Sequence, residues 1–156
     1  MLKKIIFLFF SLSAFLLFSG CNKNNSTPEI ISEQKINFTI IDQGTNSGLT
    51  VKQNYVILNN NDWQNFWQQL KANYLPIPAM PEIDFNQEMI IAVAMGQKST
   101  GGYTITIKDI NESADALTVI SQNTSANGGI TTQALTQPYC VVKINKINKE
   151  VVFITN

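Results

Sequence analysis

A continuous apolar run from Met89 to Met95 limits the possible folds more than any other feature of the sequence. Glu88 and Gly96 flank the run, which is short for a helix and contains no polar position that could face solvent. Such a run is typical of a strand that is buried on both faces. We therefore expect this strand to lie at the centre of a sheet.

Short segments with alternating polarity predict further strands. The first covers 35–41 and places Ile36, Phe38 and Ile40 on one face. The others are predicted over 49–58, with a break near Gln53 and Asn54, and over 103–108, 117–120, 139–144 and 151–154. Because turn-rich segments separate these strands, we predict a mainly β fold with an antiparallel, sandwich-like sheet and one amphipathic helix. The nearest alternative is an α+β sheet with the helix on one face.

The helix is predicted after the cap-forming residues 59–62, with Asn61 as N-cap and Gln64 completing a capping box. Its apolar stripe consists of Trp63, Phe66, Trp67 and Leu70. We interpret this stripe as core that covers the sheet rather than as an interface. Lys71 suits the negative C-terminal end of the helix, and the proline-rich residues 74–81 are predicted to form a loop.

The N-terminus has the features of an export signal. Lys3 and Lys4 precede an apolar run over 5–18, which is shorter than the roughly 20 residues that a membrane-spanning helix needs. Together with the small residues before Cys21, this segment resembles the signal peptide of a bacterial lipoprotein. The resemblance implies cleavage after residue 20 and lipidation of the Cys21 sulfur, which would anchor the chain to a membrane.

We expect three regions along the chain. Residues 1–20 form the signal peptide, residues 21–34 form the lipidated cysteine and a flexible tether, and residues 35–156 form a single globular domain. This organisation places the protein in the bacterial cell envelope. Asn22, directly after the cysteine, favours the outer membrane.

The sequence contains no His and no Arg. This absence excludes imidazole-based triads, His-ligated zinc and bidentate arginine clamps. Beyond residue 20 the sequence has nine lysines and eleven acidic residues, and no block of like charge. We therefore expect no nucleic-acid partner. We predict a protein that is not an enzyme and that uses no metal and no cofactor.

Three stretches with a superficial likeness to catalytic motifs have structural interpretations. Cys140 shares a strand face with apolar residues, which predicts a buried, inert thiol. Glu82, Asp84 and Glu88 are interpreted as acids at strand boundaries that accept backbone hydrogen bonds, rather than as a catalytic or calcium site. Residues 96–102 do not form a phosphate loop, because a strand and not a helix follows them.

Several motifs occur together in a fixed order. They are Asp84 and Phe85 before the apolar strand, Gly96 after it, Thr100, Gly101, Gly102 and Tyr103 before the next strand, and residues 136–139 before Val141 and Val142. With the Trp63 and Trp67 helix ahead of them, these motifs resemble the C-terminal domain of the protease complex subunit PrcB family. The resemblance extends from about Tyr55 to Ile147.

The resemblance implies a non-catalytic envelope lipoprotein that binds a secreted or surface protease and helps to stabilise or assemble its complex. The partner-binding residues it suggests are Thr100, Gly101, Gly102, Tyr103, Pro138 and Tyr139. A Gly-Gly pair allows positive φ and the tyrosines offer aromatic contact area. The alternative is that the glycines only turn the chain and that both tyrosines pack inside.

Two other functions fit the same residues. Residues 100–103, 127–129 and 138–139 occur in the order of the three binding loops of chagasin-type inhibitors of cysteine peptidases, to which the chain bears some resemblance. Gln137 replaces the arginine that precedes the proline in that family. A lipoprotein that binds a small ligand or a polysaccharide through its aromatic residues is the third possibility.

Overall fold

The computed structural model describes residues 33–125 and 133–156. The predicted signal peptide, Cys21 and the tether as far as residue 32 lie outside the described residues, as do residues 126–132. The described elements are, in chain order, β1 (Gln34–Lys35), β2 (Thr39–Gly44), β3 (Lys52–Ile57), α1 (Asn60–Leu70), β4 (Glu88–Met95), β5 (Thr104–Glu112), β6 (Ala116–Thr124), β7 (Tyr139–Asn145) and β8 (Glu150–Thr155).

The strands form two four-stranded sheets with the orders β1-β5-β6-β8 and β2-β7-β4-β3. Strand pairs are antiparallel, except that β8 lies parallel to β6. The two sheets enclose one apolar cluster, and α1 packs on the other side of the β2-β7-β4-β3 sheet. The predicted mainly β, sandwich-like fold with one helix is therefore confirmed.

Strand β4 is paired on both sides, with β3 and with β7, and is buried on both faces. Met89, Ile91 and Val93 face the interior of the sandwich, whereas Ile90 and Ala92 pack on the helix side. The central strand predicted from the apolar run is confirmed.

The helix begins earlier than the sequence predicted. Its N-cap is Asn59, whose extended backbone (φ −151°, ψ 161°) precedes the first turn and whose Oδ1 accepts a hydrogen bond from the Asp62 N–H at 2.9 Å. Asn61 lies inside the helix, so the predicted cap is wrong. Four consecutive Asn and Asp residues offer several chemically equivalent caps, and the apolar stripe is unaffected by which one is used. The residues of that stripe are all buried.

The strand predicted over 35–41 is two strands that belong to different sheets. β1 pairs with β5, and it begins at Gln34, the last residue of the predicted tether. β2 pairs with β7, with an irregular register after Ile40. Ile36 and Phe38 pack on the sandwich interior, whereas Ile40, on the edge strand β2, is 48% exposed. The break predicted near Gln53 and Asn54 is not present, since β3 pairs with β4 throughout.

In residues 33–125 and 133–156, no helix has the length and apolar character required to cross a membrane.

Candidate functional site

Three loops meet at one end of the β2-β7-β4-β3 sheet, and we call them the loop end: residues 45–51, 96–103 and 133–138. They meet because β2 and β4 finish at this end while β3 and β7 start there. The sequence-predicted residues 100–103 and 138 therefore belong to one region although some 35 residues separate them in the chain.

Backbone hydrogen bonds join the three loops. Lys98 and Thr136 exchange N–H···O bonds of 2.7 and 3.0 Å, and the Thr136 hydroxyl donates to the Thr100 carbonyl at 2.9 Å. The Gln97 N–H donates to the Thr50 carbonyl at 2.9 Å, which connects the second loop to the first. Because each loop is bonded to a neighbour, the loop end has a defined shape rather than three independent turns.

Two glycines in the second loop have positive φ. Gly96 has φ 68°, and a Cβ at this position would lie 2.6 Å from the Lys52 amide nitrogen. Gly102 has φ 85° and is exposed, whereas Gly101 is buried. The chain needs glycine at Gly96 and Gly102 to make this turn, since other residues rarely adopt such a conformation.

Tyr103 lies just before β5 and is half-buried. Its ring packs partly on the sandwich interior, and the Lys98 ammonium lies 5.6 Å from the ring centroid. Thr100 is also half-buried. The surface of the second loop thus presents Thr100, the Gly102 backbone and one edge of Tyr103.

Pro138 and Tyr139 are buried, with Tyr139 only 2% exposed. The Pro138 carbonyl accepts a hydrogen bond from the Met95 N–H at 2.9 Å, and Tyr139 is the first residue of the central strand β7. The prediction that these two residues contact a partner directly is therefore corrected: strand pairing and α1 remove them from the surface. Tyr139 instead packs inside the fold, as the alternative interpretation of the sequence expected.

The Tyr139 hydroxyl belongs to a buried polar cluster with Asp42 and Lys71. It donates to Asp42 Oδ2 at 3.1 Å and accepts from Lys71 Nζ at 2.9 Å, and Lys71 also forms an ion pair with Asp42. Lys71 is 6% exposed, and its ammonium lies 5.2 Å from the centroid of the Trp67 ring and 4.9 Å from that of the Tyr74 ring. A buried cation is thus paired, hydrogen-bonded and surrounded by aromatic faces.

The surroundings change the proton affinity of this cluster. Burial acts to lower the pKa of Lys71, but the bonds to Asp42 and Tyr139 outweigh it and the pKa is raised. Burial raises the pKa of the Tyr139 hydroxyl, against the opposing effect of Lys71. Lys71 therefore stays charged and Tyr139 neutral at physiological pH, which suits a structural cluster and not a proton-transfer site.

The sequence did not reveal this role of Lys71. We had assigned the residue to the negative end of the helix, and its partners are 29 and 68 positions away in the chain. The available signal was its position four residues after Trp67, on the same face as the buried stripe.

An open cleft of about 260 Å³ lies beside the loop end, between the edges of the two sheets. It is lined by residues 43–45, residues 104–106 and one edge of Tyr139. Its polar groups are hydroxyls, an amide and backbone atoms, so it offers hydrogen bonds without strong acid or base chemistry.

The acidic residues and the cysteine have the structural roles expected from the sequence. Asp84 Oδ1 accepts from the Asn86 N–H at 3.0 Å, and Glu88 pairs with Lys143 at 2.7 Å. Cys140 faces the sandwich interior, and burial raises the pKa of its thiol. Within the described ranges 33–125 and 133–156, no three His, Cys, Asp or Glu residues are grouped so that they could hold a metal ion.

The loops compared with chagasin-type inhibitors are only partly placed. Residues 100–103 are at the surface, residues 127–129 lie outside the described residues, and residues 138–139 are buried. The third of these loops is thus not presented in the way that a protease-blocking loop must be.

Comparison with protein families gives one match. Residues 89–145 match the family described as PrcB C-terminal, a segment that runs from β4 through β7 and includes two of the three loops of the loop end. No curated protein and no solved structure matches the chain. The resemblance inferred from the sequence motifs is therefore confirmed over residues 89–145, which are similar to the PrcB C-terminal family.

Proposed function

We propose that this protein is a non-catalytic lipoprotein of the bacterial cell envelope that binds a secreted or surface protease and helps to stabilise or assemble its complex. The observation that carries the proposal is the PrcB C-terminal match over residues 89–145. A subunit of a protease complex is what this family resemblance implies.

The geometry of the loop end supports a binding role. The surface formed by Thr100, Gly102 and Tyr103, with Gly101 buried between them, is held in one conformation by bonds to the neighbouring loops. A preformed loop loses little conformational entropy when a partner binds. The half-exposed Tyr103 ring supplies the aromatic contact area that is common in protein interfaces.

The chemistry of the chain supports binding rather than turnover. The sequence lacks imidazole and guanidinium groups, and the Cys140 thiol is buried with a raised pKa. A nucleophilic cysteine needs access and a lowered pKa, and Cys140 has neither.

The proposed anchor is a lipid on Cys21, with the outer membrane as the destination. Metabolic labelling with an alkyne analogue of palmitate should mark the wild-type protein and not Cys21→Ser. Labelling of both to the same extent would refute the anchor without affecting the proposed protease interaction.

The interaction is tested in the native host with the full chain. We expect deletion of the gene to lower the amount of one envelope peptidase, measured with active-site probes, and expect the wild-type chain to restore it and to copurify with it. Tyr103→Ala should restore less. Phe153→Ala is the matched control, because Phe153 also packs partly on the sandwich interior but lies on β8, outside the loop end. An unchanged set of labelled peptidases in the deletion strain would refute the proposal.

A further inference from the structure

The loop between α1 and β4 exposes large apolar side chains. We call residues 74–81 the apolar loop. Leu75 is 100% exposed, Ile77 49% and Met80 39%. Three such side chains lie within six residues, and a concentration of exposed apolar residues marks a contact site more often than scattered ones do.

The backbone of the apolar loop is fixed although its side chains are exposed. The indole N–H of Trp67 donates to the Pro78 carbonyl at 3.0 Å, and that of Trp63 donates to the Pro81 carbonyl at 3.0 Å. Both tryptophans are buried in the helix–sheet core. The apolar side chains are thus presented from a rigid base, which lowers the entropic penalty of binding.

Each exposed apolar residue is followed directly by proline. Leu75, Ile77 and Met80 precede Pro76, Pro78 and Pro81. A proline has no N–H, and it restricts both its own φ and the conformation of the residue before it. An endopeptidase that recognises an apolar residue and cuts the bond after it meets a tertiary amide at all three positions. Exposed loops are otherwise preferred sites of cleavage.

We propose that the apolar loop is a docking surface for the partner peptidase, which accepts its exposed apolar side chains in an apolar groove and does not cut the bonds that join Leu75, Ile77 and Met80 to the prolines after them. This inference rests on the proposed function and names a second part of the contact surface. The pattern of prolines favours a peptidase as the occupant, because a proline follows each exposed apolar residue and makes the bond between them a poor substrate.

Charge also distinguishes the occupant. Glu82 and Asp84 are exposed at the C-terminal end of the apolar loop, so a partner with a basic rim is favoured and an anionic membrane surface is disfavoured. The Tyr74 hydroxyl donates to the Asn46 carbonyl at 3.2 Å, which joins the apolar loop to the first loop of the loop end. The contact surface is thus continuous between these two loops.

Photo-crosslinking in the native host identifies the occupant. A photoreactive amino acid is placed at position 75 of the full chain and, as a matched control, at position 152, where Val152 is exposed on β8. Envelope peptidases are labelled with a fluorophosphonate for serine enzymes and an epoxysuccinyl probe for cysteine enzymes. We expect a probe-labelled peptidase to crosslink from position 75 and not from position 152.

Each other outcome contradicts the inference. A crosslink from position 75 to a second copy of the chain or to lipid would assign the surface to that occupant instead. Absence of a peptidase crosslink, when the wild-type chain still copurifies with a labelled peptidase, would overturn the docking surface and leave the proposed function intact. If the wild-type chain copurifies with no peptidase, the proposed function fails and this inference with it.

Two sets of substitutions provide an independent test. Leu75→Ser combined with Ile77→Ser should lower the copurified peptidase about tenfold, whereas Val152→Ser with Ile154→Ser should leave it unchanged. The combined Pro76→Ala, Pro78→Ala and Pro81→Ala variant should be cut after Leu75 or Met80 by chymotrypsin, with the sites read by mass spectrometry, while the wild-type chain is not cut at these two bonds. Equal retention of the peptidase by both serine variants, or equal cleavage of the wild-type chain after Leu75 and Met80, would contradict the proposal.

Discussion

Proline lies beside a large side chain in two regions of the molecule, at Pro138 and Tyr139 and in the apolar loop. Tyr139 is 2% exposed, whereas Leu75 is completely exposed. The backbone accounts for the difference. Tyr139 opens β7, which is paired with β2 on one side and β4 on the other, while no described strand includes residues 74–81.

Side chains from one face of α1 form hydrogen bonds with both regions. Trp63, Trp67 and Lys71 follow one another at intervals of four residues, and each donates a hydrogen bond from its side chain. The two indoles bind carbonyls of the apolar loop, and the ammonium binds Tyr139. The stripe is therefore both core and scaffold: the same face that covers the sheet also determines the conformation of an exposed surface.

Trp63→Ala should have the largest effect on stability. It removes a fully buried ring together with the donor to Pro81, so we expect a loss of about 3–5 kcal/mol in the free energy of unfolding, measured by urea denaturation followed by fluorescence of Trp67. Chymotrypsin cleavage after Tyr74, which no proline follows, should also accelerate. Trp63→Phe is the control that keeps an aromatic ring and removes the N–H. A loss below about 1 kcal/mol for the alanine variant would show that the ring is not core.

Lys71→Met tests the buried region. The change leaves Asp42 and the Tyr139 hydroxyl without their cation, and we expect a loss of about 2 kcal/mol, because Asp42 keeps some contact with solvent. Lys149→Met is the matched control, since it breaks a more exposed pair with Glu112 and should change stability by less than about 1 kcal/mol. If both variants lost the same free energy of unfolding, the burial of the Lys71 cluster would not increase its contribution to stability.

Stability should also fall in alkali because of the same cluster. The pKa of Tyr139 is raised above its ordinary value of 10.0 and that of Lys71 above 10.5, so the folded chain holds both protons more strongly than the unfolded chain does. This contribution is fully present below the ordinary values and is lost as the pH rises through the raised pKa values. Urea midpoints should therefore decline above about pH 10, and less steeply in Tyr139→Phe. An identical decline in that variant would assign the effect to other groups.

Much of the fold could be predicted from the sequence because its signals are local. The apolar run of β4 and the apolar stripe of α1 each indicate, within a dozen residues, that the segment is buried. Both predictions are confirmed. The division of residues 35–41 between two sheets could not be predicted in this way. The alternating pattern is continuous over these residues and gives no sign that the first half pairs with β5 and the second half with β7.

The candidate site was predicted less completely. Thr100, Gly102 and Tyr103 keep some exposure, but the buried Tyr139 hydroxyl is bound by Lys71 and Asp42, which are distant in sequence. The sequence predicts a loop over residues 74–81 but not that its backbone is fixed. The apolar stripe predicts that the tryptophans pack in the core, and it does not indicate that their indole N–H groups bind the loop. Polar atoms on apolar side chains are easily overlooked when a stripe is interpreted by hydrophobicity alone.

Leu75→Ser should have the smallest effect on stability and so gives the sharpest test of the comparison. The side chain is fully exposed, so we expect the free energy of unfolding to change by less than about 0.5 kcal/mol, measured by the same urea denaturation. The matched control is Leu70→Ser, at a fully buried position of α1, where a loss of about 3 kcal/mol or more is expected. A loss above about 1 kcal/mol for Leu75→Ser would mean that Leu75 packs in the folded chain. A neutral result would mean that folding gains nothing from this leucine, as expected for a side chain that is kept for contact rather than for stability.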